Sequence, residues 1–306
     1  MFINIKLIRK TSNFFIDLIY KTPFKNPFLW SISRIPIGFL SNHFWINSPD
    51  YYLKSSEDFL IKMEKAAISF KGKDILEIGS GSSFGWGYFF IVAGAKSYTS
   101  SDLTRSANMS IRAIKTELSL IKLVEQKYKK RILGKYIAFK NKQLISLTDK
   151  LQFKIMDITT KNLKVRRQYD IIISNAVLEH LPKKSLPGAI NNMYQLLKNN
   201  GYMLHQIDLR DHYNFHQPFN FYAYTESQWQ KLTNQSYFYT NRRRLSNYLS
   251  LFKQHHFKVI YKKVTMCQPN QKPIKTRFSR HFQVYPLKEL SVSDLTIALK
   301  RTTKSL

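Results

Sequence analysis

The sequence predicts an α/β protein built on a seven-stranded, mostly parallel sheet with helices on both faces. Three observations predict it. Short strand-like runs bounded by turn residues, at 74–78, 96–101, 153–158, 169–173 and 202–207, most of them apolar, recur with helix-period stretches between them. After its acid, the run Asp170-Ile171-Ile172-Ile173 is β-branched throughout, the composition of a central strand buried on both faces. And 306 residues suffice to bury such a sheet and carry insertions.

The first run and the residues after it organise the chain: Lys73-Asp74-Ile75-Leu76-Glu77-Ile78-Gly79-Ser80-Gly81-Ser82-Ser83. The apolar strand from Asp74 to Ile78 stops at glycines, and a helix opens across Phe84 to Ala93. Glycine belongs at such a turn because a side chain there blocks backbone approach to a bound ligand. Glu77 stands at the carboxyl end of the strand, where open α/β sheets hold their ligands. A phosphate-binding loop needs a Lys after its last glycine, and none follows here. A dinucleotide loop needs a third glycine at position 84, which is Phe84. What remains is Glu-x-Gly-x-Gly.

Upstream, residues 1–54 interleave Lys6, Arg9, Lys10, Lys21 and Lys25 with aromatics, including Trp30 and Trp45. They read as a helical lid or as a basic arm for a membrane surface. A helix is predicted from near Ser55, with Asp58 three residues on, presenting Phe59, Leu60, Met63 and Ala67 on one face. Downstream, the second strand ends at Asp102, 25 residues after Glu77, where an acid can accept from both hydroxyls of a ribose. From Arg105 to Lys150 the chain departs from a minimal sheet. Ile111, Ile114, Leu118, Ile121, Val124, Tyr128 and Ile132 recur at helical steps, giving a long amphipathic helix read as an insertion that shapes the substrate side. The third strand ends in Met156-Asp157-Ile158. The fourth leads through Ser174-Asn175 into Ala176-Val177-Leu178-Glu179-His180.

A helix over Gly188 to Leu197 and a fifth strand to Ile207 follow. Just past that strand stands Asp208-Leu209-Arg210-Asp211-His212-Tyr213-Asn214-Phe215-His216, a cluster suited to substrate binding and proton removal. Residues 217–242 are aromatic: Phe219, Phe221, Tyr222, Tyr224, Trp229, Tyr237, Phe238 and Tyr239 suit a pocket wall or ordinary packing. Arg242-Arg243-Arg244 opens the next helix, where positive charge opposes the dipole; a bound anion or a carboxylate of the fold would resolve the conflict. Phe257 to Met266 is the sixth strand and Asp294 to Lys300 the last.

Taken in order, the Glu77 loop, Asp102, Asp157 and Leu178-Glu179-His180 resemble the motifs of class I S-adenosylmethionine-dependent methyltransferases of small-molecule type. Residues 55–208 match well and the remainder by pattern; the third glycine usual in that family is Ser83 here. The resemblance implies a Rossmann-like sheet whose last strand runs antiparallel beside the fifth, and S-adenosylmethionine as cofactor. It implies Glu77, Gly79, Ser80 and Gly81 around the amino-acid tail and ribose, Asp102 on the ribose, Asp157 and the Ile158 N–H on adenine, and Asn175 on the methionine side. His180 reads as a structural hydrogen-bonder. Family members that methylate base amino groups usually carry two prolines after the fourth strand, which Ser174-Asn175-Ala176-Val177 lacks. The expected reaction is therefore methyl transfer to a hydroxyl of a small molecule, sugar or lipid, with His212 and Asp208 as candidate bases. The alternatives are an RNA acceptor and a non-catalytic binding module of methyltransferase type.

The formal charge of +30 favours an anionic partner, RNA or a lipid surface, although an excess of Lys spread over a solvated surface explains it equally. The single Cys267 excludes an internal disulfide and fits a reducing compartment, so a cytoplasmic location is expected, with peripheral contact at the inner membrane surface through the arm. No Cys/His cluster has zinc-ligand spacing, so no metal is expected. The most apolar window, 28–46, is broken by Arg34, Pro36 and His43 and makes a poor transmembrane span. The expected organisation is an arm or lid over 1–54 and a catalytic domain over 55–306, with insertions at about 104–150 and 209–242.

Overall fold

Alternating apolar strands and amphipathic helices fold into one sheet covered on both faces. The computed structural model describes residues 48–81, 83–104, 111–141, 143–165, 167–212, 217–233, 239–274 and 278–303. The arm expected over 1–54 lies outside them up to residue 47. The first described helix begins earlier than predicted: α1 spans Pro49–Lys65, because Ser48 caps it by accepting from the Tyr51 N–H at 3.2 Å and Pro49 preorganises its first turn.

The described residues form two compact units, one of 48–209, 241–266 and 292–303, the other of 210–240 and 267–291. The first holds the sheet. Its strands are β1 (Asp74–Ile78), β2 (Ser97–Asp102), β5 (Leu151–Ile155), β6 (Tyr169–Asn175), β7 (Leu197–Asp208), β8 (Phe257–Met266) and β9 (Val292–Arg301), with β3 (Ile137–Lys140) and β4 (Gln143–Ser146) forming a separate hairpin. The spatial order is β5-β2-β1-β6-β7-β9-β8. The first five run parallel, and β9 lies antiparallel between β7 and β8, as the sequence led one to expect.

Each face carries its own helices. On one, Phe59 and Met63 of α1, Phe90 and Val92 of α2 (Trp86–Ala93), and Leu120 and Val124 of α3 (Ile111–Tyr128) pack over Ile75, Ile171 and Ile173. On the other, Ile190 and Met193 of α4 (Leu186–Leu196) and Tyr248 and Phe252 of α6 (Leu245–Gln254) cover Leu76, Ile172, Met203 and Ile297. The insertion differs from the single long helix predicted. Lys129 adopts a left-handed φ of +51°, and the Glu125 carboxylate accepts from the Ile132 and Leu133 N–H groups at 2.6 and 2.9 Å. The helix therefore ends at Tyr128, and the hairpin follows. Within the helix Leu118 is exposed while Leu120 is buried, so the apolar stripe is rotated from the predicted one.

At the amino end of the sheet, Asp74 is buried in a charge network. It accepts from Ser97 Oγ at 2.6 Å, Arg167 at 2.9 Å and Lys198 at 2.9 Å, and Lys198 also bridges to Asp170 at 2.9 Å. Burial pushes the Asp74 carboxyl up, but the Ser97 and Lys198 hydrogen bonds and the Lys198 and Arg167 charges outweigh it and hold it at about 2. A carboxyl depressed on folding adds stability above its unfolded pKa near 4, and the gain fades as pH falls towards 2. Asp74→Asn is thus expected to flatten the acid limb of a stability–pH curve between about pH 4 and 2. Urea midpoints across that window check it; an unchanged acid limb would contradict the network.

The second unit contains a short 3-10 turn (Asn220–Ala223), α5 (Glu226–Thr233), α7 (Arg280–Gln283) and α8 (Leu287–Leu290). Phe219, Phe221, Tyr222 and Trp229 are each at most 4% exposed and pack with Phe278, Phe282 and Leu290. The aromatics considered as a pocket wall are therefore largely this unit's own core, with Tyr224 and Tyr239 partly buried at its margin. The Trp229 indole is satisfied by the Thr240 carbonyl at 2.8 Å. Tyr237 and Phe238 lie outside the described residues. Among the described residues, no helix is long and apolar enough to cross a membrane.

Candidate functional site

Because β5, β2, β1 and β6 are parallel neighbours, their carboxyl ends share one rim, and the sequence candidates Glu77, Gly79, Ser80, Gly81, Asp102, Asp157, Ile158 and Asn175 all fall along it. Gly79 and Gly81 have φ of +76° and +69°, the left-handed region that glycine enters without penalty. The N–H groups of Gly79 and Ser80 both donate to the Ser101 carbonyl, at 2.8 and 3.0 Å, and so tie the loop to β2. The two glycines then differ. A Cβ on Gly79 would lie 2.3 Å from Val177 Cγ2, whereas one on Gly81 would meet nothing within 4 Å. Gly79 is needed for close packing against the loop after β6, and Gly81 faces open space.

Asp102 organises the loop it was expected only to face. Its Oδ2 accepts from the Gly81 N–H and its Oδ1 from the Leu103 N–H, both at 2.8 Å, which leaves each oxygen further lone pairs for a ligand. Glu77 stands next to last in β1, the strand below the loop. It is buried, with Tyr98 OH donating to it at 2.7 Å. Burial pushes its carboxyl up to about 8, against the Tyr98 hydrogen bond and with help from the Asp102 charge.

Asp157 is exposed, and its Oδ1 accepts from the Thr159 N–H and hydroxyl at 2.8 and 2.6 Å. The Ile158 side chain is buried, and its carbonyl takes the Asn192 amide at 2.7 Å. Among the described residues no partner meets the Asp157 Oδ2, the Ile158 N–H or the half-buried Asn175 amide. An acceptor beside a free backbone donor, with an amide farther along the rim, is the donor set that an adenine and a polar tail require. The residues fit an adenosyl ligand.

Asn175 pairs in register with Gln206, whose Oε1 accepts from Lys62 Nζ at 2.6 Å and whose amide reaches Asp294 at 3.3 Å. Lys62 and Gln206 lie in no motif. The register across β6 and β7 brings Gln206 to the rim, and the packing of α1 brings Lys62 to Gln206.

The segment after β6 is held as structure. Asn241 donates from its backbone to the Glu179 carbonyl at 2.7 Å and from its side chain to the Leu178 and Leu181 carbonyls at 2.8 and 3.1 Å. Glu179 is buried and accepts from the Asp208 N–H at 3.0 Å; burial, reinforced by the charges of Asp208 and Asp294, pushes its carboxyl far above the usual range despite the backbone hydrogen bonds. His180 donates its N–H to the Val177 carbonyl at 2.9 Å. Asp208 is half-buried at the end of β7, opposite Asp294 in register. His212 is half-buried in the other unit, where its neighbour Asp211 donates to the Pro218 carbonyl at 2.7 Å. Tyr213, Asn214, Phe215 and His216 lie outside the described residues.

A family model described as "Methyltransferase domain" matches residues 54–263. No curated protein matches the chain. Among solved structures, an S-adenosylmethionine-dependent methyltransferase from Clostridium acetobutylicum is 13% identical, covering 82% of this chain and 92% of that one, at a TM-score of 0.43. Magnesium protoporphyrin IX methyltransferase from Synechocystis, with bound S-adenosylhomocysteine, is 11% identical over 82% of this chain and 84% of that one, at 0.45. An N-methyltransferase from Bradyrhizobium japonicum is 12% identical over 84% and 90%, at 0.42. At such scores the fold rests on the strand order itself.

Proposed function

Because the chain belongs to the methyltransferase-domain family, we propose that it transfers a methyl group from S-adenosylmethionine to a hydroxyl of a small molecule, sugar or lipid. The observation that carries this reading is the row of groups on one rim that no described residue meets: Asp157 Oδ2, the Ile158 N–H and the Asn175 amide, next to Gly81, where a Cβ would meet no described atom within 4 Å. When bound, S-adenosylmethionine supplies a methyl on a sulfonium, transferred by in-line displacement. The chain's task is then to bind and orient. Asp102 takes the ribose with its remaining lone pairs while holding Gly81. Asp157 and the Ile158 N–H read the adenine edge, and Asn175 borders the methionine tail. Glu77 lies beneath the loop, held by Tyr98.

A hydroxyl acceptor must lose a proton. Asp208 is the base this reading adopts, since it stands at the end of β7, one strand from Asn175. Ser174-Asn175-Ala176-Val177 speaks against a base amine as the acceptor, because it lacks the proline pair of family members that methylate base amino groups. The lone, half-buried Cys267 fits a reducing compartment such as the cytoplasm.

Titration calorimetry with S-adenosylhomocysteine tests the donor site, and transfer of a labelled methyl into an extract tests turnover. The wild type is expected to bind, and Asp102→Ala to lose about 1–3 kcal/mol of affinity. Asp208→Asn should bind equally well yet transfer no label. No binding by the wild type would reject the reading, and full transfer by Asp208→Asn would reject the base.

A further inference from the structure

Helix α3, the core of the insertion, has a use that the sheet does not explain. It runs beside α2, with the Tyr128 and Phe89 rings edge to face at 5.2 Å and Lys130 Nζ donating to the Val92 carbonyl at 2.7 Å. Lys127 pairs with Glu57 of α1. Leu120, Ile121 and Val124 fill the core beneath. Glu117 breaks this apolar stripe: it is a carboxylate only 4% exposed, in a setting that penalises a charge unless it is hydrogen-bonded.

Its partners identify its role. One carboxylate oxygen accepts from Tyr88 OH of α2 at 2.5 Å, and the other accepts from Ser83 Oγ. Ser83 Oγ in turn accepts from the Gly85 N–H at 2.7 Å, where the chain turns at a φ of +36° into α2. Ser83 stands where the resembled family carries its third glycine. The buried carboxylate thus reaches the glycine turn from outside the sheet and holds the serine that closes it.

We propose that Glu117 is a positioning residue for the donor site: through Ser83 and Tyr88 it holds the turn at Ser83 to Gly85, just after the glycine loop, in its binding shape, so the insertion is part of the cofactor machinery. A turn ordered before the ligand arrives loses less entropy on binding. Serine with a carboxylate from a distant helix replaces what a third glycine does with backbone alone. The inference rests on the donor-site reading above and deepens it.

The test is calorimetry of S-adenosylhomocysteine with full-length Glu117→Ala, Glu117→Gln, Ser83→Ala and the double variant Ser83→Ala/Glu117→Ala, at a temperature where thermal melts show each folded. Lys130→Ala, just past the end of the same helix and away from the turn, is the control. Glu117→Ala and Ser83→Ala are each expected to weaken binding about tenfold. The double variant should be no weaker than either single one, because both remove one linkage. Glu117→Gln should recover most of the affinity, since its amide can still accept from one hydroxyl and donate to the other. Lys130→Ala should bind like the wild type. If Glu117→Ala does not fold, Glu117→Gln and Ser83→Ala carry the comparison. Wild-type affinity in Ser83→Ala or Glu117→Ala, or losses that multiply in the double variant, would overturn the inference. A wild type that binds no S-adenosylhomocysteine instead removes the donor-site reading beneath it.

Discussion

Arg244→Met is expected to lower the folding free energy by about 2–5 kcal/mol. Arg244 is fully buried, and its two terminal nitrogens donate to the carbonyls of Leu209 at 2.8 Å and Val292 at 2.7 Å. Those carbonyls sit where the chain leaves β7 and where it enters β9, so one guanidinium ties both ends of the antiparallel pair to the start of α6. Methionine fills similar volume and introduces no charge, so the loss includes the two charge-assisted hydrogen bonds and the carbonyls left dry behind them. The urea midpoint reads the effect. A midpoint within roughly 0.5 kcal/mol of the wild type, the range of an ordinary surface change, would show that the carbonyls find other partners. The triple-arginine run had suggested a bound anion or a carboxylate. Two backbone carbonyls are among the partners of Arg244, acceptors that no reading of side-chain types can anticipate.

Gly79→Ala is expected to damage stability and ligand binding together. The substitution places a Cβ in a left-handed conformation at φ +76° and drives it to 2.3 Å from Val177 Cγ2. Left-handed strain costs about 1–2 kcal/mol and overpacking about 1–3 more. Val177 is β-branched with restricted rotamers, so it cannot swing aside as a longer chain would. Folding free energy should fall by about 2–4 kcal/mol, and S-adenosylhomocysteine affinity by at least an order of magnitude. Val177→Ala in the same chain should return the packing share and leave the backbone share. Gly81→Ala separates the two causes: it faces open space at φ +69° and should lose only the backbone share of stability. Equal losses at both glycines would refute the packing argument.

The rim was legible because its residues are local. Asp74 to Ile78 is a strand by apolar run, it ends by glycine, Asp102 and Asn175 close their own strands, and Asp157 stands two residues past the end of its strand. The burial of Glu77 was not legible because strand alternation, invisible when a strand is buried on both faces, turns its carboxyl inward beside Tyr98. Leu118 was placed on the wrong side of α3 because a charged residue, Glu117, is buried there against helical periodicity. The aromatic stretch after residue 217 could be read as wall or as core, since ring-rich composition does not say what the rings face; the buried cluster with Phe278 and Phe282 answers it.

The sequence by itself determined the order of strands and turns, the glycine loop and the acids at the strand ends, because backbone propensity and apolar period act within a few residues. The tertiary structure alone decided which side chains meet. Ser83 finds Glu117 34 positions away, and Arg244 finds Leu209 35 positions away. Such pairs form only when packing strips water from both partners and leaves each polar group one place to turn.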